Sequence, residues 1–305
     1  MKRITLDSEL SIGITAHGNT AVTQHCLNCL LDSADGDFEL ILVDDCSPDN
    51  GKTTRLFRSI LPRHRNTKLF SFNRNLEYSG SLNCILSHAT GELVTFISND
   101  IYVTPNYLSE MIDVAKSDDS IGIVRGTSNF VDNGKSTHNI DIGSRIKTLA
   151  DVPKFSADVQ DANRGRILIE DYLTGDAFLV KRSVIDAIGT LDPAFYGYFA
   201  DHDYGIRTCR AGFKLAVAQG AFAFHHRAAN FDYLPEVQRQ QKLQTRWAKV
   251  HENWARFKMK YGLPVSSLYD GMNTIDWSLL NNAEASHAKD LYVPAEDYSE
   301  YLLNP

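Results

Sequence analysis

The sequence has no long hydrophobic run. Apolar residues make up 43% of its 305 positions, but no segment approaches the roughly 20 consecutive apolar residues that a transmembrane helix needs. The start of the sequence, MKRITLDSEL, also lacks the apolar middle of a secretory signal peptide. We therefore expect a globular protein in the cytoplasm.

Paired cysteines and an excess of positive charge are also missing. The 5 cysteines are scattered and odd in number, so a disulfide framework is not expected. Cys26 and Cys29 form a C-x-x-C without a second pair, and we interpret them as packing residues rather than zinc ligands or redox groups. Lysine and arginine number 31 against 38 acidic residues, and the net charge of −7 argues against general binding to nucleic-acid phosphates.

Short apolar runs separated by helix-length segments predict the fold class. The predicted strands lie at residues 10–16, 38–43, 68–72, 93–97 and 121–124. Helix-length segments between successive strands are typical of βαβ units, which build a mostly parallel central sheet flanked by helices. The first helix is predicted to run from Asn19, as its N-cap, to about Leu31. The predicted fold class is therefore α/β.

The second half of the sequence is predicted to be less regular. Polar residues dominate from 127 to about 166, and we expect this segment to leave the core as a flap over the site. The sheet is expected to resume in 172–181. The remaining elements are predicted to be helices at 183–188, 201–211 and 236–260 and short strands at 215–217 and 221–224. The last helix is charged and amphipathic, and we expect it to pack against the rest of the chain.

One stretch, LVTFISNDIYV at residues 93–103, organises the functional prediction. Its apolar half is typical of a strand buried on both faces, and the strand breaks into Ser98, Asn99 and Asp100. In open α/β sheets, ligands bind beyond the carboxyl ends of the strands. Polar residues gather at three further places, namely Thr15 to His17, Asp44 and Asp45, and Asp201 to Asp203. The first two of these also follow strands, and we expect all four groups to line one crevice.

Five segments, in this order, resemble the inverting nucleotide-sugar transferases of glycosyltransferase family 2. They are LSIGITAHGNT, FELILVDDCSPDNG, NRNLEYSGSLNCILSHATGELVTFISNDI, LTGDAFLVKRSVI and FADHDYGIRTCRAG. The resemblance covers residues 8–230. In addition, WARFKMKYG near the end is similar to the helical end of bacterial members that build surface polysaccharides such as O-antigen and capsule.

The resemblance implies a GT-A fold, which is a Rossmann-like α/β architecture, and a division of the chain. A catalytic domain is expected at residues 1–230, with a donor-binding half at about 1–126 and an acceptor half at about 165–230. Residues 231–305 are expected to form a helical C-terminal extension.

The resemblance also implies a binding site for the nucleoside of the donor. Thr15 and Asp45 match the positions that hold its base and ribose, and a carboxylate accepts well from an imide N–H or from ribose hydroxyls. Asp44 and Asp45 are also ordinary turn formers, and Asp44 fits that structural role better. His17 stands where the family often has an aromatic residue that stacks on the base. Arg74 is a candidate for contact with the base or the diphosphate, although an arginine in an exposed loop is equally ordinary.

A divalent cation on the donor diphosphate is the implied cofactor. Asn99 and Asp100 match the acidic D-x-D region of the family, but the sequence here is S-N-D, so one carboxylate remains. Mg²⁺ or Mn²⁺ can bind through one carboxylate, two phosphates and waters, and weak metal affinity without the donor is expected. His225 and His226 match a position where a histidine often reaches the metal or the leaving phosphate, and His225 is the better match.

Asp201 matches the catalytic base of the family, although Ala200 replaces the glutamate that usually precedes it. An inverting transfer needs a base that takes the proton of the acceptor hydroxyl. The structural alternative is that Asp201 caps its helix, with Asp203 favoured in the first turn by the helix dipole. Gly175 matches a glycine that lets the backbone approach the acceptor, and Asp176 is a candidate for binding acceptor hydroxyls.

The predicted function is metal-dependent inverting transfer of a sugar from a UDP-, dTDP- or GDP-linked donor. The implied acceptor is a glycan or a lipid-linked glycan in cell-surface polysaccharide biosynthesis. No nucleic-acid partner is expected, whereas a homodimer and peripheral association with the cytoplasmic face of the inner membrane stay open. Two alternatives also stay open, a catalytically silent nucleotide-sugar-binding relative and a receiver-type signalling module. A nucleotidyltransferase is disfavoured because no glycine-rich basic loop follows the first strand.

Overall fold

A computed structural model describes residues 3–131, 137–226, 235–265, 275–282 and 291–303. The strands are β1 (Ile4–Leu6), β2 (Leu10–Ala16), β3 (Ala34–Gly36), β4 (Glu39–Asp44), β5 (Thr67–Ser71), β6 (Leu93–Ser98), β7 (Ile101–Tyr102), β8 (Ile121–Ser128), β9 (Ile167–Glu170), β10 (Ala177–Lys181) and β11 (Lys214–His225). The helices are α1 (Thr20–Ser33), α2 (Lys52–Arg58), α3 (Glu77–His88), α4 (Pro105–Ser117), α5 (Val152–Asn163), α6 (Arg182–Ile188), α7 (Ala200–Arg210), α8 (Glu236–Tyr261) and α9 (Trp277–Asn282).

The central sheet is mixed and mostly parallel, and it is flanked by helices as predicted. Its strand order in the described part of the chain is β5-β4-β2-β6-β10-β8-β11-β7, and β9 also pairs with β11. Strands β5, β4, β2 and β6 are parallel, whereas β10 is antiparallel to both β6 and β8. Strand β11 is parallel to β8. The carboxyl ends of β2, β4, β6 and β11 therefore lie at the same edge of the sheet as the amino end of β10.

The apolar runs of the first strands form a core on both faces of the sheet. In β4, Leu40 and Leu42 belong to the cluster that contains the buried residues of α1, and Ile41 and Val43 belong to the cluster that contains those of α3. Successive side chains of a strand point to opposite faces, so a strand that is covered on both sides needs an unbroken apolar run. The predicted strands in this half of the chain are confirmed, with ends that differ by one residue at most from the structure except that β8 continues to Ser128.

Three elements in the second half differ from the prediction. The strand expected at 172–181 begins only at Ala177, as β10. The polar segment after residue 127 was expected to leave the core, but α5 within it packs on β11, with the rings of Phe155 and Phe222 4.7 Å apart. Its buried residues include Val152 and Val159, so the apolar positions recur at helical spacing within a mostly polar segment. The two short strands expected at 215–217 and 221–224 are one strand, β11, whose register shifts at an irregularity between them.

The start of α1 also differs from the prediction in its cap. Asn19 occupies the N-cap position, but its side chain makes no capping hydrogen bond and its backbone is left-handed, with φ of 59°. Asparagine adopts this conformation more readily than most residues. The helix itself, from Thr20 to Ser33, is confirmed.

The predicted C-terminal helix is present as α8, which is 26 residues long. It packs on the α/β body through Val250, Trp254 and Phe257, which are buried in the same cluster as residues of α3 and α7. In contrast, Trp247 is 50% exposed. Among the helices that the structure describes, none combines the length and the apolar character required to cross a membrane. The predicted domain boundary at residue 230 lies outside the described residues.

Candidate active site

Polar side chains from distant parts of the sequence meet at one edge of the sheet. Strand β6 ends in Ser98 and is followed by Asn99 and Asp100, and β11 ends in His225. Gly175 and Asp176 immediately precede β10, whose antiparallel direction brings its first residue, Ala177, opposite Ile97 near the end of β6. This arrangement follows the rule that sites in α/β sheets form beyond the carboxyl ends of parallel strands.

Two adjoining cavities contain most of the predicted site residues. The first, which we name the Asp201 cavity, has a volume of about 500 Å³. Its lining includes Asp100, Gly175, Asp176, Asp201 and His225. The second, which we name the Asp45 cavity, has a volume of about 450 Å³. Its lining includes Thr15, His17, Asp45, Asn75 and Glu77. Tyr78 and Asn99 line both cavities, so the two spaces meet at these side chains.

Asp201 is held as a partly buried carboxylate near the start of α7. One oxygen accepts a hydrogen bond from the Gly175 backbone N–H at 2.8 Å, and the other accepts from the His202 backbone N–H at 3.0 Å. The His202 ring Nδ1 lies 3.0 Å from the same oxygen. Burial alone would raise the pKa of Asp201, but the ion pair with His202 and these hydrogen bonds hold it below its usual value. Asp201 does not cap α7, since the N-cap residue is Phe199.

Gly175 lies where a side chain would not fit. A Cβ at this position would meet the Tyr78 hydroxyl and would lie 2.8 Å from the Cβ of Asp201. The Tyr78 hydroxyl in turn donates to the Gly175 carbonyl oxygen at 2.9 Å. The glycine therefore allows the backbone N–H to reach the carboxylate of Asp201 at the cavity wall.

Asp100 and His225 are in direct contact at the wall of the Asp201 cavity. The His225 Nε2 lies 3.2 Å from Asp100 Oδ2, and its Nδ1 lies 2.9 Å from the Phe130 carbonyl oxygen. Burial opposes protonation of the imidazole, but the hydrogen bond to Asp100 and the negative charges of Asp100 and Asp176 raise the pKa of His225 to about 9. Asp176 also forms an ion pair of 3.0 Å with the buried Arg125.

The structure supports two protein ligands for a cation. Within the described residues, no group of three or more histidine, cysteine or acidic side chains is placed to hold a metal ion. Asp100 offers a carboxylate oxygen and His225, once its Nε2 has given up its proton to an incoming cation, offers an imidazole nitrogen beside it. The Phe130 carbonyl oxygen accepts from Nδ1 and orients the ring, as second-sphere groups do in metal sites. Most remaining ligands would have to come from a substrate and from water.

Two residues of the predicted cation site are placed differently. Asn99 donates from Nδ2 to the Thr23 hydroxyl at 2.8 Å, so its side chain ties the loop to α1. The backbone N–H of His226 donates to the Asp100 carbonyl oxygen at 2.9 Å, and its exposed ring lies 5.8 Å from that of Tyr102. Of the two histidines, His225 lines the Asp201 cavity.

In the Asp45 cavity, a carboxylate is buried next to an imidazole. Asp45 accepts from the Leu76 backbone N–H at 2.6 Å, and its own carbonyl oxygen lies 2.7 Å from the His17 Nδ1. Burial raises the pKa of Asp45 to about 6, although hydrogen bonds from Leu76 and Ser81 and the nearby His17 oppose this rise. Thr15, one residue before the end of the neighbouring strand β2, also lines this cavity.

Asp44 and Arg74 contact other parts of the protein. Asp44 accepts from the Ser47 backbone N–H at 3.0 Å and from the Thr54 hydroxyl, which agrees with its interpretation as a turn residue. The Arg74 guanidinium stacks on the Tyr301 ring at 3.8 Å from its centroid. Arg74 lines neither the Asp45 cavity nor the Asp201 cavity.

Helix α8 forms a wall that the sequence analysis did not predict. Arg246 and Trp247 line the Asp201 cavity, and Lys242 lines the Asp45 cavity. Lys249 pairs with Glu77 at the start of α3. The available signal was the spacing of basic residues along one helix face, which is also typical of a solvated surface.

A buried polar network joins α7 to α8. The carboxylate of Asp203 is fully buried and accepts from Arg207 Nε at 2.8 Å and from the Tyr261 hydroxyl at 2.7 Å. Lys260 Nζ lies 2.5 Å from the same carboxylate. Asp203 is therefore the centre of a tertiary contact, in addition to standing in the first turn of α7 where the helix dipole favours it.

Comparison with known proteins adds sequence similarity to this geometry. A family model described as glycosyl transferase family 2 matches residues 11–189. An uncharacterized glycosyltransferase of Nostoc sp. is 24% identical over 200 residues, which are 63% of this chain and 57% of that protein. The chain thus spans little more than half the length of that relative.

Several solved structures share the fold at low sequence identity. A mannosyltransferase of Pyrobaculum calidifontis in complex with GDP-Man and Mn²⁺ aligns with a TM-score of 0.54 at 14% identity, over 81% of this chain and 63% of that one. GalNAc-T7 with UDP, GalNAc and Mn²⁺ aligns with a TM-score of 0.54 at 14% identity, over 74% of this chain and 44% of that one. S. aureus TarS 1–349 with UDP-GlcNAc aligns with a TM-score of 0.50 at 16% identity, over 70% of this chain and 57% of that one. Because the family model covers more than half of the sequence and the sheet has the matching architecture, the chain belongs to glycosyl transferase family 2 and has a GT-A fold.

Proposed function

We propose that this protein transfers a sugar from a nucleotide-diphosphate donor to an acceptor hydroxyl with inversion at the anomeric carbon. The observation that carries the proposal is the partly buried carboxylate of Asp201 at the wall of a cavity that Asp100 and His225 also line. In an inverting transfer, a base takes the proton of the acceptor hydroxyl while that oxygen attacks from the face opposite the diphosphate. The low pKa of Asp201 keeps this base ionised and ready to accept the proton.

The nucleoside of the donor occupies the Asp45 cavity in this proposal. The carboxylate of Asp45 accepts from the base or ribose, the ring of His17 stacks on the base, and Thr15 contacts the nucleoside from β2. The diphosphate then passes Tyr78 and Asn99, where the two cavities meet, and the sugar lies in the Asp201 cavity. The donor class in this proposal is a UDP-, dTDP- or GDP-linked sugar. Structural neighbours bound to UDP, UDP-GlcNAc and GDP-Man support the UDP- and GDP-linked members of this class.

Asp100 and His225 would hold a divalent cation, Mn²⁺ or Mg²⁺, together with the donor phosphates. When bound, such a cation neutralises negative charge on the leaving diphosphate. The Phe130 carbonyl oxygen keeps the Nε2 of His225 directed at Asp100, and the ion pair with Arg125 holds Asp176 beside them. Structural neighbours in complex with Mn²⁺ support this assignment.

The acceptor side of the proposal is a glycan or a lipid-linked glycan, used in cell-surface polysaccharide biosynthesis. Gly175 contributes to the acceptor side through its backbone N–H, which holds the carboxylate of Asp201 at the cavity wall, and Asp176 is the candidate for contact with the acceptor hydroxyls. Polysaccharide hydroxyls suit carboxylates and backbone groups of this kind, which accept or donate hydrogen bonds.

Replacing the proposed base tests the reaction directly. In Asp201→Asn, the side-chain oxygen can still accept from the Gly175 N–H, so the fold is expected to persist. Release of the nucleoside diphosphate from a nucleotide sugar should fall by about 100-fold or more because proton removal is lost. Donor affinity, measured by calorimetry, should stay within about threefold, since removal of a base lowers the rate rather than ground-state binding.

The matched control is Asp158→Asn, which removes one exposed carboxylate that pairs with Lys154 on α5. This control should turn over the donor like the wild type. Unchanged turnover in Asp201→Asn would overturn the assignment of the base. A wild-type protein that binds nucleotide sugars and yet releases no nucleotide, with or without Mn²⁺, would instead identify the chain as the catalytically silent relative, which Asn99 and Ala200 in place of acidic residues would explain.

A further inference from the structure

Helix α8 supplies the basic side chains of both cavities. Among the described residues that line the Asp201 cavity, Arg246 is the one lysine or arginine. Among the described residues that line the Asp45 cavity, the one lysine or arginine is Lys242. The two residues are four positions apart on α8, so their side chains lie on the same face of the helix.

The other lining residues that carry a full charge are acidic, and two of the lining histidines lie beside acidic groups. Asp100, Asp176 and Asp201 line one cavity, and Asp45, Asp49 and Glu77 line the other. His225 and His202 each lie beside one of these carboxylates, at 3.2 and 3.0 Å. A diphosphate that enters such a site adds further negative charge, and a transfer leaves still more charge on the departing nucleoside diphosphate.

In the described residues, the proposed cation site has two adjacent protein ligands, Asp100 and His225. A cation held by so few protein ligands is a limited source of positive charge for the diphosphate. The basic face of α8 lies beside both cavities, where its positive charge can act on the diphosphate in addition to the cation. It spans the junction of the two cavities, with Lys242 on one side and Arg246 on the other. Guanidinium and ammonium groups form strong charge-assisted hydrogen bonds with phosphate oxygens.

We propose that Lys242 and Arg246 bind the diphosphate of the donor and stabilise the leaving nucleoside diphosphate. This inference rests on the proposed function and adds two residues of the C-terminal helix to the site. The Arg246 guanidinium lies 6.0 Å from the centre of the Tyr198 ring, which also lines the Asp201 cavity. This distance is at the outer limit of a cation–π contact, and it places the guanidinium near a residue of the cavity wall. Lys242 is exposed, so it can move toward a phosphate at the cost of little packing.

The test compares nucleotides that differ by one phosphate. UDP, GDP and dTDP, and the corresponding monophosphates, are titrated into the full chain by calorimetry with Mn²⁺ present. In the double variant Lys242→Gln and Arg246→Gln, affinity for the best diphosphate should fall about tenfold or more because charge-assisted hydrogen bonds are lost. Affinity for the monophosphate should fall by less than about threefold, since fewer of these bonds form.

Two further variants separate charge from helix structure. Arg239 lies on the same face of α8, carries the same charge, forms an ion pair of 4.0 Å with Glu236, and lines neither cavity. Arg239→Gln should therefore bind both nucleotides like the wild type. Arg246→Lys, which keeps the charge, should recover part of the diphosphate affinity, and this recovery should shrink as salt is raised.

The outcomes distinguish this inference from the function on which it rests. Equal loss of diphosphate and monophosphate affinity in the double variant, or no loss of either, would overturn the role of α8 while nucleotide binding stands. A wild-type chain that binds none of the six nucleotides would overturn the proposed function and this inference together. A selective loss for the diphosphate, absent in Arg239→Gln, supports the inference.

Discussion

Two adjacent aspartates at the end of β4 have different environments. Asp44 accepts from the Ser47 N–H and the Thr54 hydroxyl and closes the turn that follows the strand. Asp45 lies at the wall of a cavity, and burial raises its pKa to about 6. The same side chain is therefore structural at one position and available to a ligand at the next, because successive residues of a strand point to opposite faces.

The raised pKa of Asp45 predicts a stability that depends on pH. The value of about 6 in the folded protein lies above the roughly 3.9 of an unfolded aspartate. The contribution of this group to stability is therefore fully present below pH ~3.9 and is lost as the pH rises through ~6. Asp45→Asn should raise the free energy of unfolding at pH 7.5 by on the order of 1 kcal/mol and give no such gain at pH 4. Urea denaturation at both pH values measures this difference.

Asp44→Asn is the matched control for this prediction. It removes the neighbouring carboxylate, whose hydrogen bonds to Ser47 and Thr54 hold the turn. It should lower the free energy of unfolding at pH 7.5 by about 1 kcal/mol, as expected when a buried hydrogen bond is weakened. A gain in Asp44→Asn equal to that in Asp45→Asn would contradict the assignment of separate roles.

The same ionisation should control nucleotide affinity. If the carboxylate of Asp45 accepts from the nucleoside, protonation below its pKa removes that acceptor. Nucleotide affinity in the wild type should then fall about tenfold between pH 7 and pH 5, whereas Asp45→Asn should bind weakly and lose this part of the pH dependence. Calorimetric titration across this range provides the measurement, and parallel pH profiles for the two proteins would count against contact between Asp45 and the nucleoside.

At the scale of the element, α7 and α8 act as one unit at the site. Helix α7 carries Asp201, α8 carries Arg246, and the buried carboxylate of Asp203 joins them through Lys260 and Tyr261. The apolar contact between them includes Phe257, which lies against Phe199 with ring centroids 5.2 Å apart. The position of the wall over the cavity therefore depends on the packing of α8.

Two aromatic residues of α8 should respond differently to truncation. Phe257 is fully buried, whereas Trp247, nearly three turns earlier, is 50% exposed. Phe257→Ala should lower the free energy of unfolding by about 3–5 kcal/mol because it leaves a cavity in the core. Trp247→Ala should change it by less than about 1 kcal/mol, as is usual for exposed positions. Denaturant titration of both variants measures the two values, and similar losses would contradict the described packing of α8.

At the scale of the whole molecule, the net charge is −7. A protein of this charge needs positive groups close to its site in order to bind an anionic diphosphate. The acidic edge of the sheet is met by α8 from the other end of the sequence, and a cation would meet it at Asp100 and His225. Neither source of positive charge is complete alone, since Asp100 and His225 are the two adjacent side chains proposed to hold the cation in the described part of the chain. Binding of the cation and of the nucleotide should therefore be coupled.

Thermal unfolding should reveal this coupling. Mn²⁺ alone should leave the melting temperature within about 1 °C, because two protein ligands bind a hard cation weakly. A nucleotide at about 100 times its Kd should raise the melting temperature by roughly 5–10 °C with Mn²⁺ present and by less with a chelator. His225→Ala should lose the increment due to Mn²⁺, whereas His226→Ala, which alters an exposed ring, should keep it. A full increment in His225→Ala would rule out the imidazole as a ligand.

Much of the fold follows from local patterns in the sequence. An unbroken apolar run such as residues 39–44 must be covered on both faces, and a polar residue directly after it must lie at the edge of the sheet. This reasoning placed Asp45 and Asp100 at one edge of the sheet, whereas the role of Asp201, near the start of a helix, came from the resemblance to the family. The structure places the three residues in two cavities that share Tyr78 and Asn99.

Other features depend on contacts between residues far apart in the sequence. Strand β10 brings Gly175 to Asp201 only because it runs antiparallel to β6, and a short apolar strand carries no signal of its direction. Arg74 stacks on Tyr301, and the side chain of Asn99 donates a hydrogen bond to Thr23. No local sequence pattern indicates either contact, because the two residues of each pair are far apart in the sequence.

The sequence by itself determined five strands of the sheet, the helices that cover them and the edge at which Asp45 and Asp100 lie. The reason is that burial and the direction of parallel strands impose a periodicity that can be read locally. The tertiary structure alone decided which charges face each other and that α8 covers the site. Such pairings depend on the distances between side chains after the chain has packed, and those distances are set by the whole core.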